Sequence, residues 1–346
     1  MTTALSPFSS LAHLRQCFVD GLETMLAQHE EELGVTILVL ANAAQDPTLW
    51  PPLRNKLLAR YQQHAKQIKS ALRSGSTLKA PEDDLMVLLK LMAMELGQDT
   101  FDLVQVRPCR LRGPWEVQLN PLRALRPARM SQARAEGNMR PFDPNGFHFN
   151  KPFLAKEILW QGELNGKISR LLYNKFPFAP LHGLLVPEPE LAQAQFLSAE
   201  THAWAWQVAR EASTTLPGFG LAYNSYGAYA SVNHLHFQTF VRTQPLPLQK
   251  LEAARYPLPV QHFAQVESAW TRIDQLHQLG KPYNLIYNAH GVHVIARARQ
   301  GEVALQDWSP GFAWSEMAGA FSVGRAQDYH HLTETVIEQA LAEMGV

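Results

Sequence analysis

The chain has 346 residues, 46% hydrophobic and 18% charged, with a formal net charge of +0. That composition excludes a disordered chain, and the balanced charge excludes a general field for coating nucleic acid or anionic lipid, so any anion site must be local. Only Cys17 and Cys109 are present, too few for a disulfide framework, and neither lies in a CxxC pair.

Met1 to Arg15 lacks a basic flank followed by a long apolar stretch, and the apolar run Val35 to Leu40 is far too short to cross a bilayer. The expectation is a cytoplasmic protein that engages neither membrane nor nucleic acid. Leu11, Leu14, Phe18, Leu22 and Met25 repeat at helical spacing, which predicts a helix over 11–26. Leu53, Leu57, Tyr61, Ile68 and Leu72 predict a second over 52–72, ending near Gly75. A third starts at Pro81 with Glu82, Asp83 and Asp84 in its first turn and stops near Gly97. Residues 1–104 therefore read as a helical region, a scaffold or dimerisation layer packed on the rest of the chain.

Beyond Val104 the texture changes to short β-type runs broken by Pro, Gly and Asn: 115–119, 168–173, 184–186, 232–241 and 284–287. Helices are expected over 198–210 and 328–344. The fold class is α+β, a mostly antiparallel sheet with flanking helices over 105–346. A faint likeness between Leu171-Leu172-Tyr173-Asn174 and Asn284-Leu285-Ile286-Tyr287-Asn288 leaves room for two similar halves.

The chemistry-bearing segment is Asn233-His234-Leu235-His236-Phe237-Gln238. Side chains alternate along a strand, so His234, His236 and Gln238 share one side, as an exposed polar row. Leu235, Phe237, Phe240 and Val241 are expected to anchor the other face. The preceding run, Asn224-Ser225-Tyr226-Gly227-Ala228-Tyr229-Ala230-Ser231, is small and polar, which lets backbone N–H groups approach an anion such as phosphate. His290, His293, His330 and His331 have metal-like spacing on paper, but no carboxylate or cysteine pattern accompanies them, so no metal or cofactor is expected. The eight tryptophans are assigned to packing.

Four segments resemble the galactose-1-phosphate uridylyltransferase branch of the histidine-triad superfamily. They are Trp115 to Leu119 leading to Arg123-Ala124-Leu125-Arg126-Pro127; Arg140 to Pro144 with Phe147 to Lys151; Tyr173 to Pro177 through His182 to Pro187; and Asn224 to Gln238. The wording of the last is closest to the GDP-L-galactose and GDP-D-glucose phosphorylases. The resemblance implies a histidine-triad-like fold and an enzyme that cleaves a GDP-hexose with inorganic phosphate to GDP and hexose 1-phosphate. It implies His236 as the nucleophile forming a nucleotidyl-histidine, Gln238 as a phosphoryl donor and His234 as an orienting residue. Arg123 and Arg126 would clamp phosphates, Asn174 and His182 would sit near the ribose or phosphates, and Asn224, Gly227 and Ser231 would be phosphate-side contacts. Asn120, Lys151 and Lys175 are secondary candidates. The same histidine chemistry would serve a diadenosine tetraphosphate phosphorylase or a hexose-1-phosphate uridylyltransferase, and a non-catalytic nucleotide sensor is the alternative of another class. The partners implied are a nucleoside diphosphate sugar and phosphate, with a homodimer left open.

Overall fold

A computed structural model describes residues 5–126 and 135–345. Four helices lead the chain: α1 (Leu11–Gln28), α2 (Leu33–Gln45), α3 (Trp50–Ser74) and α4 (Glu82–Met92). Local chemistry sets their ends. The Ser10 hydroxyl accepts from the His13 N–H to start α1, Gly75 closes α3 in a left-handed conformation at φ 66°, and three acids occupy the first turn of α4. Three of these are expected from the sequence, α1 and α3 from periodicity and α4 from Pro81 and its acidic first turn, although α4 stops at Met92, short of Gly97. The fourth, α2, carries no stripe, because almost every residue in it is buried.

The rest is an α+β unit, as expected. Strands β1 (Arg110–Arg112) and β2 (Trp115–Leu119) join β11 (Ala320–Val323) in a small sheet of order β1-β2-β11. The large sheet contains β3 (Ile158–Leu164), β4 (Lys167–Tyr173), β5 (Gly183–Pro187), β6 (Phe219–Asn224), β7 (Phe237–Val241), β8 (Val260–Phe263), β9 (Tyr283–Asn288) and β10 (Gly291–Ala296). Its order is β3-β4-β5-β7-β6-β9-β10-β8, with every neighbouring pair antiparallel. Helices α5 (Pro121–Ala124), α6 (Ala199–Thr215), α7 (Val266–Gln278), α8 (Trp314–Met317), α9 (Ala326–His331) and α10 (Glu334–Glu343) flank these sheets. The single helix expected over 328–344 is two, because Leu332 and Thr333 turn extended and the Thr333 hydroxyl caps α10 by accepting from the Val336 N–H.

One apolar cluster joins the helical region to one face of the large sheet, uniting Phe18, Leu22, Leu38, Leu53 and Leu57 with Leu171, Tyr173, Leu185, Tyr223, Leu235 and Phe237. The helices thus share their core with the sheet. At the junction a Cβ on Gly21 would lie 2.2 Å from the Tyr173 hydroxyl, so only glycine lets α1 approach β4 this closely. The opposite face carries two separate clusters. One contains Trp115, Ala222, Phe240, Ile286, Trp314 and Phe321; the other contains Phe149, Leu154, Leu172, Val186 and Val232, with Leu184 packed against it. Register pairs Gln238 with Leu184 on one side and with Ala222 on the other. The polar side chain of Gln238 therefore lies where these two clusters meet. Among the described residues no helix is long and apolar enough to cross a membrane.

Candidate active site

Strand β7 begins at Phe237, so the expected strand over 232–241 is shorter and His234 and His236 precede it. The His236 backbone is fixed by a buried side-chain amide in place of a strand ladder. Gln195 Oε1 accepts from the His236 N–H at 2.9 Å, and Gln195 Nε2 donates to the carbonyls of His236 at 3.1 Å and Asn224 at 2.8 Å. Beyond the last β6–β7 pair, Ala222 with Gln238, the Gln195 amide thus bridges the Asn224 and His236 backbones.

The proton positions on the two imidazoles follow from their partners. The His236 Nδ1–H donates to the His234 carbonyl at 2.8 Å, since a carbonyl can only accept, and the lone pair therefore resides on Nε2. The Phe149 N–H donates to His234 Nδ1 at 3.1 Å, which places the His234 proton on Nε2, with the Pro189 carbonyl as its partner. Burial pushes both rings down to about 4, so both are neutral at physiological pH. Phe149 stacks on His234 at 5.5 Å and meets His236 edge-on at 5.1 Å.

Gln238 is oriented from both sides of its carbonyl. His182 Nε2 donates to Gln238 Oε1 at 2.9 Å, and Trp314 Nε1 donates to the same oxygen at 2.7 Å. The His182 tautomer is set by the Phe178 N–H, which donates to its Nδ1 at 3.3 Å, and burial holds its pKa down to about 3. With two donors on the oxygen, the Gln238 amide nitrogen is the end left for another acceptor. Asn174 Nδ2 lies 3.3 Å from His182 Nε2.

Arg123 completes this group. Its backbone N–H is capped by the Asn120 carboxamide oxygen at 3.0 Å, its guanidinium lies 4.0 Å over the Phe178 ring, and Phe178 meets His182 at 4.4 Å. Its Nη2 is 3.8 Å from Glu316 Oε1, both side chains being buried. Burial lowers the Arg123 pKa and raises that of Glu316; Arg123, and more weakly Arg297, oppose the latter shift. Arg126 is held down to about 10, first by burial and then by Arg123, while Pro127, which follows it, lies outside the described residues. Two donors in this neighbourhood, Arg123 Nε and Asn224 Nδ2, are buried with no hydrogen-bond partner among the described residues. Such donors carry a desolvation cost that an anionic ligand would relieve.

The expected exposure of the polar row and the expected face of Phe240 need correcting. The row of His234, His236 and Gln238 is buried, at 1%, 3% and 9% exposure, because β7 is central and both its faces are covered. Phe240 shares the Gln238 face, where it stacks on Trp314 at 4.5 Å, while Leu235, Phe237 and Val241 pack on the other. Gly227 lies in a turn. It sits at φ 83° beside the bond from the Ala228 N–H to the Ser225 carbonyl, and a Cβ there would meet Arg299 and Pro282. Ser231 is exposed in the following loop. Asn224 also ties the site together, its Oδ1 accepting from Asn284 Nδ2 at 2.7 Å and from the Trp314 N–H at 3.0 Å. Lys175 pairs with Asp84, and Lys151 donates to the Pro144 carbonyl at 3.2 Å. His293 faces His262 at 4.6 Å, and the described residues contain no group of three or more His, Cys, Asp or Glu placed to hold a metal.

Sequence reasoning missed Gln195, Trp314 and Glu316. Trp314 does pack, but its indole N–H also fixes Gln238. Arg297, buried, anchors the segment that delivers it by donating to the Phe312 carbonyl.

The family model described as the N-terminal domain of the GDPGP1-like family matches residues 93–240, which covers Arg123, Asn174, His182, His236 and Gln238. GDP-L-galactose phosphorylase 2 of Arabidopsis thaliana is 26% identical over 282 residues, 66% of this chain and 64% of that protein. GDP-D-glucose phosphorylase 1 of Danio rerio is 40% identical over 118 residues, 32% of each chain, and the Homo sapiens protein of that name is 25% identical over 304 residues, 74% of this chain and 77% of its own. The chain thus spans less than two thirds of the Arabidopsis relative and about a third of the Danio one. Among solved structures, yeast Ap4A phosphorylase Apa2 in complex with AMP superposes with a TM-score of 0.50 at 15% identity, covering 70% of this chain and 89% of that one. The chain therefore has a histidine-triad-like fold and is related in sequence to the GDP-hexose phosphorylases, as its motifs implied.

Proposed function

We propose that this relative of the GDP-hexose phosphorylases is itself a nucleotidyl-transferring phosphorylase, converting a GDP-hexose and inorganic phosphate to GDP and hexose 1-phosphate. The observation that carries the reading is the His236 ring, neutral and tethered through Nδ1–H to a carbonyl, so that Nε2 holds the lone pair, two residues before Gln238 and on a backbone that Gln195 bonds together with that of Asn224. His236 Nε2 attacks the α-phosphorus, the bond from that phosphorus to the bridging oxygen breaks, and hexose 1-phosphate leaves. The positive charge that develops on the ring is shared with the Nδ1–H bond to the His234 carbonyl. Inorganic phosphate then attacks the same phosphorus, forming GDP and returning the electron pair to Nε2.

Around that centre, Gln238 Nε2, Asn224 Nδ2 and the Arg123 guanidinium are the donors that would meet phosphoryl oxygens, with Arg126 adding positive charge. His182 and Trp314 hold Gln238 in that orientation, and His234 holds His236. Residues 105–346 form the catalytic unit in this reading and 1–104 its support; the free Cys17 and Cys109 are in keeping with the cytoplasm. The test is a screen of purified protein with phosphate and GDP-glucose, GDP-L-galactose, UDP-glucose or diadenosine tetraphosphate. Phosphate-dependent release of GDP from a GDP-hexose is expected. Turnover of only UDP-glucose or diadenosine tetraphosphate would replace the assigned substrate, and nucleotide binding without turnover would replace the enzyme by a sensor.

A further inference from the structure

We infer that helix α2 of the leading helical region is part of the phosphate-binding apparatus, with Asn42 and Gln45 as positioning residues that hold Asn174 and Arg123 in place. The inference rests on the proposed active site. Asn42 and Gln45 are three residues apart and so share one face of α2. Both are buried, at 3% and 7% exposure, in a helix built largely from Leu, Val, Ile and Ala. An amide in such a place is costly unless bonded, and an apolar side chain would pack there without that cost.

The partners of these amides are what gives them a role. Asn42 Nδ2 donates to the Leu38 carbonyl within its own helix and to the Asn174 carbonyl, each at 2.9 Å. The Asn174 Oδ1 in turn accepts from the Phe176 N–H at 3.1 Å, and its Nδ2 lies beside His182. Gln45 Oε1 accepts from Asn120 Nδ2 at 3.0 Å, and the same nitrogen donates to the Pro177 carbonyl at 3.0 Å. Asn120 Oδ1 accepts from the Arg123 N–H, and Arg123 Nη1 reaches the Phe176 carbonyl at 3.4 Å. The turn after β4 that carries Asn174 and the start of α5 that carries Arg123 are thereby bonded to each other and both to α2. The family match begins at residue 93, so this support comes from a part of the chain that precedes the matched domain.

The test compares GDP affinity, by calorimetry, with kcat/KM and melting temperature in the full-length protein. Gln45→Met keeps the volume and removes the acceptor; it is expected to weaken GDP about tenfold and lower kcat/KM similarly, the size of losing one member of a hydrogen-bonded network. Asn42→Leu should do the same through Asn174. Gln45→Glu restores an acceptor oxygen and should hold affinity within about threefold. Leu57→Ala, a cavity in the apolar core of α3, should lower the melting temperature yet leave GDP affinity within about twofold. A Gln45→Met protein that binds GDP like wild type, or a Leu57→Ala protein that loses affinity as much, overturns the role of α2. Wild type that neither binds GDP nor turns over would instead remove the active-site reading itself.

Discussion

Replacing His236 with asparagine is expected to lower GDP release from a GDP-hexose and phosphate by at least about 10⁴, the order seen when a covalent nucleophile is removed. The choice of asparagine separates chemistry from folding. Its carboxamide is short enough to occupy the place of Nδ1 and donate to the His234 carbonyl, so the bond that fixes this loop survives. What disappears is Nε2 with its lone pair. Because burial holds the wild-type ring near 4, nearly all of it is neutral and nucleophilic at pH 7, and the variant forfeits that capacity completely. The melting temperature should fall by only a few degrees, since one ring against Phe149 is lost. Activity within tenfold of wild type would mean that another group carries the nucleotidyl moiety.

Arg123→Leu is expected to lower kcat/KM by on the order of 10² or more, because its buried guanidinium lies over Phe178, which meets His182, and its Nε lacks a protein partner among the described residues. This substitution also has a folding effect. It deprives Glu316 of its main counter-charge, and breaking a buried pair costs on the order of 3 kcal/mol. The double variant Arg123→Leu/Glu316→Gln resolves the two effects. Removing the now uncompensated carboxylate should recover most of the melting temperature while leaving turnover as poor as in the single variant. Recovery of activity together with stability would show Arg123 to be structural.

The contrast between what the chain displayed and what only folding assembled has physical causes. Helices α1 and α3 were readable because each buries one stripe and exposes the rest, and α4 because Pro81 and three acids mark its start. Helix α2 was not, since burial on all sides erases the period, and Asn42 and Gln45 find their partners only in loops distant along the chain. His236 and Gln238 could be put on one face because alternation requires only local geometry. Phe240 obeys the same alternation and so joins Gln238, although its apolar character suggested the opposite face. Trp314 meets Gln238 across 76 residues of sequence and Gln195 meets His236 across 41, and nothing local in either segment announces such a contact. The motifs could identify His182 and Arg123 through family likeness, but not the Glu316 carboxylate that faces Arg123.

The most direct measurement is to mix wild-type protein with a GDP-hexose labelled at the α-phosphorus, omit phosphate, quench in base and count label on the protein. A covalent nucleotidyl-histidine predicts close to one label per chain, stable to base, released by acid as befits a phosphorus–nitrogen bond, discharged as labelled GDP on adding phosphate, and absent from the His236→Asn protein. An active wild type that never retains label, or a His236→Asn protein that retains it, would contradict the account.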